Sequence, residues 1–199
     1  PDDAPSTINL PKYTGFTAMV ESNTYTFTTN ENITIQADAN GQYKAEGLEL
    51  FEGEIVTELF EVNTANTSQR FVLSNKEIDT SSLVVTITNS KTDMTNAVYT
   101  QALTTIGITG QSNSFFLVPA ENEKYEVQFG DNILGKKLLN GNVIEAKYRR
   151  AAANNSDGAA TFSLSGDIQG YTNVAITTAS KAIGGGFGES MESIKFNAP

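Results

Sequence analysis

The chain of 199 residues carries 23 Asp and Glu against 13 Lys and Arg, a formal net charge of −10, and contains neither histidine nor cysteine. Acidity of this size disfavours nucleic acid and anionic membrane surfaces as partners. The missing residue types exclude disulfides, thiolate metal sites, thiol nucleophiles and every His-assisted nucleophile, which leaves paired carboxylates as the remaining acid–base device.

Period-two alternation begins at Phe16/Ala18/Val20. It recurs at Tyr25/Phe27, Ile33/Ile35, Leu48/Leu50, from Ile55 onward, at Phe71/Leu73 and at Val85/Ile87. Threonine fills many intervening positions, as a pleated sheet with one wet face requires. Turn residues separate these runs at Asn30-Glu31-Asn32, Asn40-Gly41, Gly53, Asn63 to Ser68, Ser74-Asn75 and Asn89-Ser90. This spacing predicts an all-β chain, mainly antiparallel and sandwich- or barrel-like, with at most short helices. One short helix is expected over Thr92 to Leu103 from Met94, Ala97, Val98 and Ala102, although the threonines there weaken it.

Tyr125, Val127 and Phe129 alternate as a half-buried strand, and Gly130, Asp131, Asn132 and Gly135 shape the loop that follows. Asn140-Gly141 signals a hairpin into a further strand over 143–148. After Ala182 the run Ile183 to Gly188 reads as a flexible linker, and Ser190 is placed to cap a helix with Glu192 in its first turn. We expect an outer β domain from residues 1–77 plus 141–182, an inserted β subdomain over 78–140, and over 183–199 a Gly-rich linker with the start of a helical segment. Without an initiating methionine, the chain is expected to be a piece of something longer. There is no run of about 18 apolar residues of the kind a spanning helix needs, and no signal-peptide pattern.

Each motif with chemical potential also has a plain structural reading. Gly130-x4-Gly135-Lys136-Lys137 is one position short of a nucleotide phosphate loop, but Lys137 stands where a magnesium-binding hydroxyl belongs. Only Lys136 to Leu139 precede Asn140-Gly141, too few residues for the helix that would face a phosphate, so a β-turn is expected. The glycine run after Ile183 does not complete a dinucleotide fingerprint, because Glu189 occupies the third glycine position. Glu46, Glu49, Glu52, Glu54 and Glu58 cluster around two glycines, and Glu52 and Glu54 would share a strand face as a glycosidase pair does. A solvated face explains them more simply.

Asp131-Asn132 and Asn154 to Gly158 lack the spacing of a calcium loop and read as turns, so no metal or cofactor is expected. The triplets at Asn32, Asn66 and Asn154 match a glycosylation acceptor, a pattern frequent by chance in Asn/Thr-rich chains. Lys147, Tyr148, Arg149 and Arg150 form the one local basic cluster, either a solvated loop start or a docking point for an acidic partner. Tyr148 is as suited to burial there as to stacking.

Several segments together resemble the baseplate wedge subunit of contractile-tailed bacteriophages, within the baseplate J-like family. Ile8-Asn-Leu-Pro-Lys-Tyr-Thr-Gly-Phe16 is similar to the family's Ile-x-Ile-Pro-x-Gly-Thr-x-Phe entry segment. Tyr25-x-Phe27, Phe51-Glu-Gly-Glu54 with Phe60, Gln69-Arg-Phe71, Asn75 and Ile78-Asp79 follow in order. Then come Tyr125-Glu-Val-Gln-Phe-Gly-Asp131 with Gly135 and Asn140-Gly141, Tyr148, Asp157-Gly158-Ala159 and Glu192-Ser-Ile-Lys-Phe-Asn-Ala-Pro199. The family often has glycine where Asn132 stands, and asparagine also accepts positive φ.

The resemblance implies a structural subunit of the virion's tail baseplate, assembled in the host cytoplasm. It would bind other wedge proteins, self-associate in the full-length protein and rearrange on sheath contraction, without catalysis or cofactor. A competing class is a carbohydrate-binding or adhesin β domain, for which Tyr13, Tyr43, Tyr99 and Tyr171 are the platform candidates in a chain without tryptophan. A carboxylate hydrolase built on Glu52 and Glu54 is a third.

Overall fold

A computed structural model describes residues 5–151, 156–172 and 174–184. The chain is nearly all β, built from antiparallel sheets and a curled half-barrel sheet. Among the described residues there are two compact units: one formed by the chain up to Glu54 and from Ala151 on, the other by Ile55–Arg150. The observed crossings at 54/55 and 150/151 differ from the 77/78 and 140/141 read from the sequence. The reason is pairing: the strands over Glu54–Glu61 and Val143–Arg150 join the same sheet as Ile78–Thr88 and so belong with it.

In the first unit, β1 (Thr7–Leu10) pairs antiparallel with β4 (Ile33–Gln36). A second sheet has the order β12-β2-β3-β5, from β2 (Gly15–Val20), β3 (Asn23–Thr28), β5 (Phe51–Glu52) and β12 (Phe162–Leu164). Alternation decides the inward face: Phe16, Ala18 and Phe27 are buried, and Phe162 meets Phe27 edge-to-face at 5.0 Å. Of the expected Leu48/Leu50 strand only the neighbouring Phe51–Glu52 is extended and paired, against Phe27 and Thr28. Both leucines still pack against the cores.

The second unit holds β6 (Glu54–Glu61), β7 (Ile78–Thr88), β8 (Asn96–Gln101), β9 (Ser114–Pro119), β10 (Tyr125–Phe129) and β11 (Val143–Arg150). They form one sheet in the order β10-β9-β8-β7-β11-β6. Its core carries Leu73, Val85, Phe115, Val127, Ile144, Ala146 and Tyr148, each at most 1% exposed. Fully burying one such aliphatic or aromatic side chain contributes about 1.5–3 kcal/mol. The Phe71/Leu73 segment is not a strand, yet it lies along β10: Leu73 N donates to Tyr125 O at 2.8 Å and Val127 N to Phe71 O at 2.9 Å. It thereby covers an edge that would otherwise be free to pair.

Two expectations are corrected here. Thr92 to Leu103 holds no helix; β8 is extended, pairs Tyr99 with Val85, and buries Tyr99 while Val98 faces solvent. Thr95, Val98 and Thr100 are β-branched and lose χ1 freedom in a helix, and an available strand partner tips the balance. Nor does Asn140-Gly141 close a hairpin, because β10 pairs with β9 and β11 lies between β7 and β6. Gly141 alone has positive φ, at 83°, whereas the favoured Asn-Gly hairpin turn needs both central residues positive.

Candidate interaction site

Two loops of the second unit are locked together through their backbones. Phe129 ends β10 against Phe71 and Tyr99, at ring separations of 5.9 and 5.8 Å. A Cβ on Gly130 would sit 2.1 Å from the Gly135 carbonyl oxygen, so only glycine fits. Asp131 Oδ1 accepts from the backbone N–H groups of Ile133 and Leu134 at 2.9 and 3.0 Å. The bonds from Leu134 and Ile133 hold the Asp131 carboxyl below its ordinary pKa.

Asn132 takes a left-handed φ of 74°, donates its N–H to Gly135 O and accepts from Lys137 N through Oδ1. Gly135 itself has φ 90°. The partner loop, residues 102–113 between β8 and β9, accepts from this one: Gly135 N donates to Thr109 O at 3.1 Å and Lys136 N to Ser112 O at 2.9 Å. Gly110 passes so close that a Cβ there would lie 1.9 Å from Asn132 O.

The lock holds aliphatic side chains out of the core. Ile106 is 89% exposed and Ile133 73%, with Leu103 and Leu134 exposed beside them in sequence. Lys136 and Lys137 are exposed too. No helix follows Lys136: Leu138 is buried, then Asn140 Oδ1 accepts from Thr64 N at 3.0 Å and Gly141 N donates to Val62 O at 2.8 Å. This turn ties the end of β6 to the start of β11. The phosphate-loop helix therefore has no counterpart in the structure. Sequence reading singled out residues 129–141 but missed their partner loop, whose signal was Leu103, Ile106 and Ile108 set among Thr, Gly and Ser.

The basic cluster is divided by a β-bulge. Register shifts between Lys147, opposite Val84, and Arg149, opposite Asp79; Tyr148 continues the inward alternation of Ile144 and Ala146, and Arg149 after it is buried as well. Arg149 is 1% exposed; its Nη1 reaches Asp79 Oδ2 at 2.6 Å and its backbone N donates to Ser82 Oγ at 2.8 Å. Tyr148 OH donates to Glu58 Oε1 and accepts from Asn75 Nδ2 at 2.7 Å. Ser74 also donates to Glu58, through N and Oγ, each at 2.9 Å. Of the four expected contact residues, Tyr148 and Arg149 are thus withdrawn into the fold, leaving Arg150 exposed and Lys147 half-buried.

Burial raises the Tyr148 pKa; the Asn75 bond opposes this and the Glu58 carboxylate adds to it. Because the folded state favours the neutral phenol, the associated stability is fully present below the ordinary value of about 10 and is lost as pH rises through the folded value. Urea titrations at successive alkaline pH are expected to show that loss. Tyr148→Phe should reduce it, leaving the share of Tyr99, whose pKa burial also raises, at a cost of about 1–2 kcal/mol near neutrality from the lost bonds to Glu58 and Asn75.

The five carboxylates do not converge on one site. Glu46 pairs with Lys44, and Glu58 is engaged by Tyr148 and Ser74. Glu52 and Glu54 fall on different strands across Gly53, whose N–H donates to Thr26 O at 2.8 Å. Among the described residues, no group of three Asp, Glu, His or Cys could hold a metal ion. Asp157 and Gly158 are described, with Gly158 at φ 90° donating to Ala182 O, while Asn154 and Asn155 lie outside the described residues. So do the expected linker beyond Gly184 and the helix start at Ser190 and Glu192.

Of the tyrosines, Tyr99 is buried, Tyr13 lies under Lys12 Nζ at 4.8 Å, and Tyr43 packs on Tyr171 at 5.7 Å with the rings tilted by 57°. The first unit also carries a shallow cleft of about 180 Å³, lined by Thr29, Asn30, Glu31, Ile33, Leu48, Glu49 and Phe51. No protein-family model matches the chain, and no curated protein matches it either.

Proposed function

We propose that this chain is a non-catalytic structural subunit of a phage contractile-tail baseplate wedge, working through protein–protein assembly and rearrangement on sheath contraction. Its place is the virion tail baseplate, and its partners are other wedge proteins and, in the full-length protein, further copies of itself. The observation that carries an assembly role is the bonded loop pair, with Ile133 and Leu134 exposed on one loop and Leu103 and Ile106 exposed on the other. Rigid exposed aliphatics lower the ordering cost of binding and mark interaction surfaces. The ordered segments from Ile8 to Asp157-Gly158-Ala159 that resemble the wedge subunit support the specific assignment.

Immunogold microscopy with antibody against this chain, on intact and contracted tails, tests it. Label confined to the baseplate is expected; label on cells or fibre tips with none at the baseplate overturns it. The Tyr43–Tyr171 pair is the feature that favours a carbohydrate-binding module instead. Its 57° tilt gives no flat stacking platform, and glycan-array binding lost in Tyr171→Ala would favour that reading.

A further inference from the structure

We propose that the Gly130–Lys137 loop of one copy seats in the Glu31/Glu49 cleft of a second copy, a head-to-tail contact between unlike surfaces. The two surfaces match in charge. The chain is acidic overall, yet residues 103–113 carry no charged side chain, and residues 130–137 carry Lys136 and Lys137 against the single Asp131. That carboxylate is turned onto the loop's own N–H groups at Ile133 and Leu134, while both lysines are exposed. The cleft presents the opposite sign, with Glu31 and Glu49 exposed at its rim.

The cleft, mostly polar, also offers apolar side chains for contact. Ile33, Leu48 and Phe51 line the cleft, and Ile133 and Leu134 stand out from the loop. A cavity of ~150 Å³ accepts a benzene-sized group. The cleft, at about 180 Å³, has room for one Ile or Leu side chain. The loop arrives already ordered, since Gly135 and Lys136 are bonded to Thr109 and Ser112. Because the joined surfaces are unlike, association propagates from copy to copy and closes only into a ring. A contact this small is weaker than a standard interface.

The contact gives a site to the self-association named above and rests on that part of the reading; label at the baseplate together with a strictly monomeric chain would overturn this proposal and leave the baseplate location standing. The test is sedimentation velocity of the full 199-residue chain over a wide concentration range. The expected result is concentration-dependent association that weakens with added salt. Lys136→Glu with Lys137→Glu, and separately Glu31→Lys with Glu49→Lys, should each weaken it at least tenfold. Mixing these two reversed variants should restore association between them. All four side chains are exposed, so folding is expected to survive, and circular dichroism of each variant checks that. A monomer at every concentration, reversal without effect, or failure of the mixed pair to recover overturns the proposal. So does binding of anionic phosphatidylserine vesicles through Lys136 and Lys137 without self-association.

Discussion

Asp79→Ala is expected to lower the unfolding free energy by about 1.5–3 kcal/mol, the usual range for a hydrogen bond to a charged group. Arg149 is 1% exposed and its Nη1 lies 2.6 Å from Asp79 Oδ2. Asp79 also organises the bulge: Oδ1 accepts from Ser81 N and Oγ at 3.0 and 2.6 Å, and its carbonyl accepts from Ser82 Oγ at 2.6 Å. Losing the carboxylate leaves the guanidinium inside with less compensation and loosens the bulge at which β7 and β11 shift register. Urea unfolding gives the number. A double variant, Asp79→Leu with Arg149→Met, should cost clearly less than the sum of the two single changes, because the bond between the two side chains is lost only once. Additive costs would show that the pair is not coupled.

Gly130→Ala is expected to cost about 1–3 kcal/mol, at the upper end of that range, through overpacking against backbone that cannot rotate aside. The added methyl would meet the Gly135 carbonyl oxygen at 2.1 Å and that of Leu134 at 2.4 Å. To admit it, the loop must move and release the bonds that hold Gly135 to Thr109 and Lys136 to Ser112. Hydrogen exchange should therefore speed up at the Gly135 and Lys136 amides, beyond what global destabilisation produces. Gly41→Ala is the informative contrast. Gly41 has φ 73° but nothing within 4 Å of a Cβ, so only the conformational cost of about 1 kcal/mol applies. If both variants lose the same stability and leave those two amides protected, steric locking of the loops is wrong.

The same locking bears on function. An interface made of mobile loops would spend binding free energy on ordering them, whereas these loops are ordered before any partner arrives. The surface read as basic from Lys147 to Arg150 contributes less, because Tyr148 and Arg149 are buried. The loop lysines, Lys136 and Lys137, read first as a failed phosphate site, are exposed cations on the locked loop.

The sequence by itself determined the all-β class and the inward faces of β2, β3, β4, β7 and β10. Strand formation with one dry face leaves a period-two record among neighbouring residues, and that record is local. It also determined that Gly130, Asp131, Asn132 and Gly135 form a shaped turn, since those residue types fit tight or left-handed backbone. Only the tertiary structure decided which strand meets which. It set β10 beside β9 rather than β11, joined β8 to β9 in parallel, and turned Asn140-Gly141 into a tie for β6. It made a strand of Thr92 to Leu103's central residues by supplying β7 as a partner, and it placed Thr109 and Ser112 under Gly135 and Lys136. Each of these depends on residues far apart in the chain, whose pairing energies are shared over the whole sheet and leave no periodic mark in either segment alone.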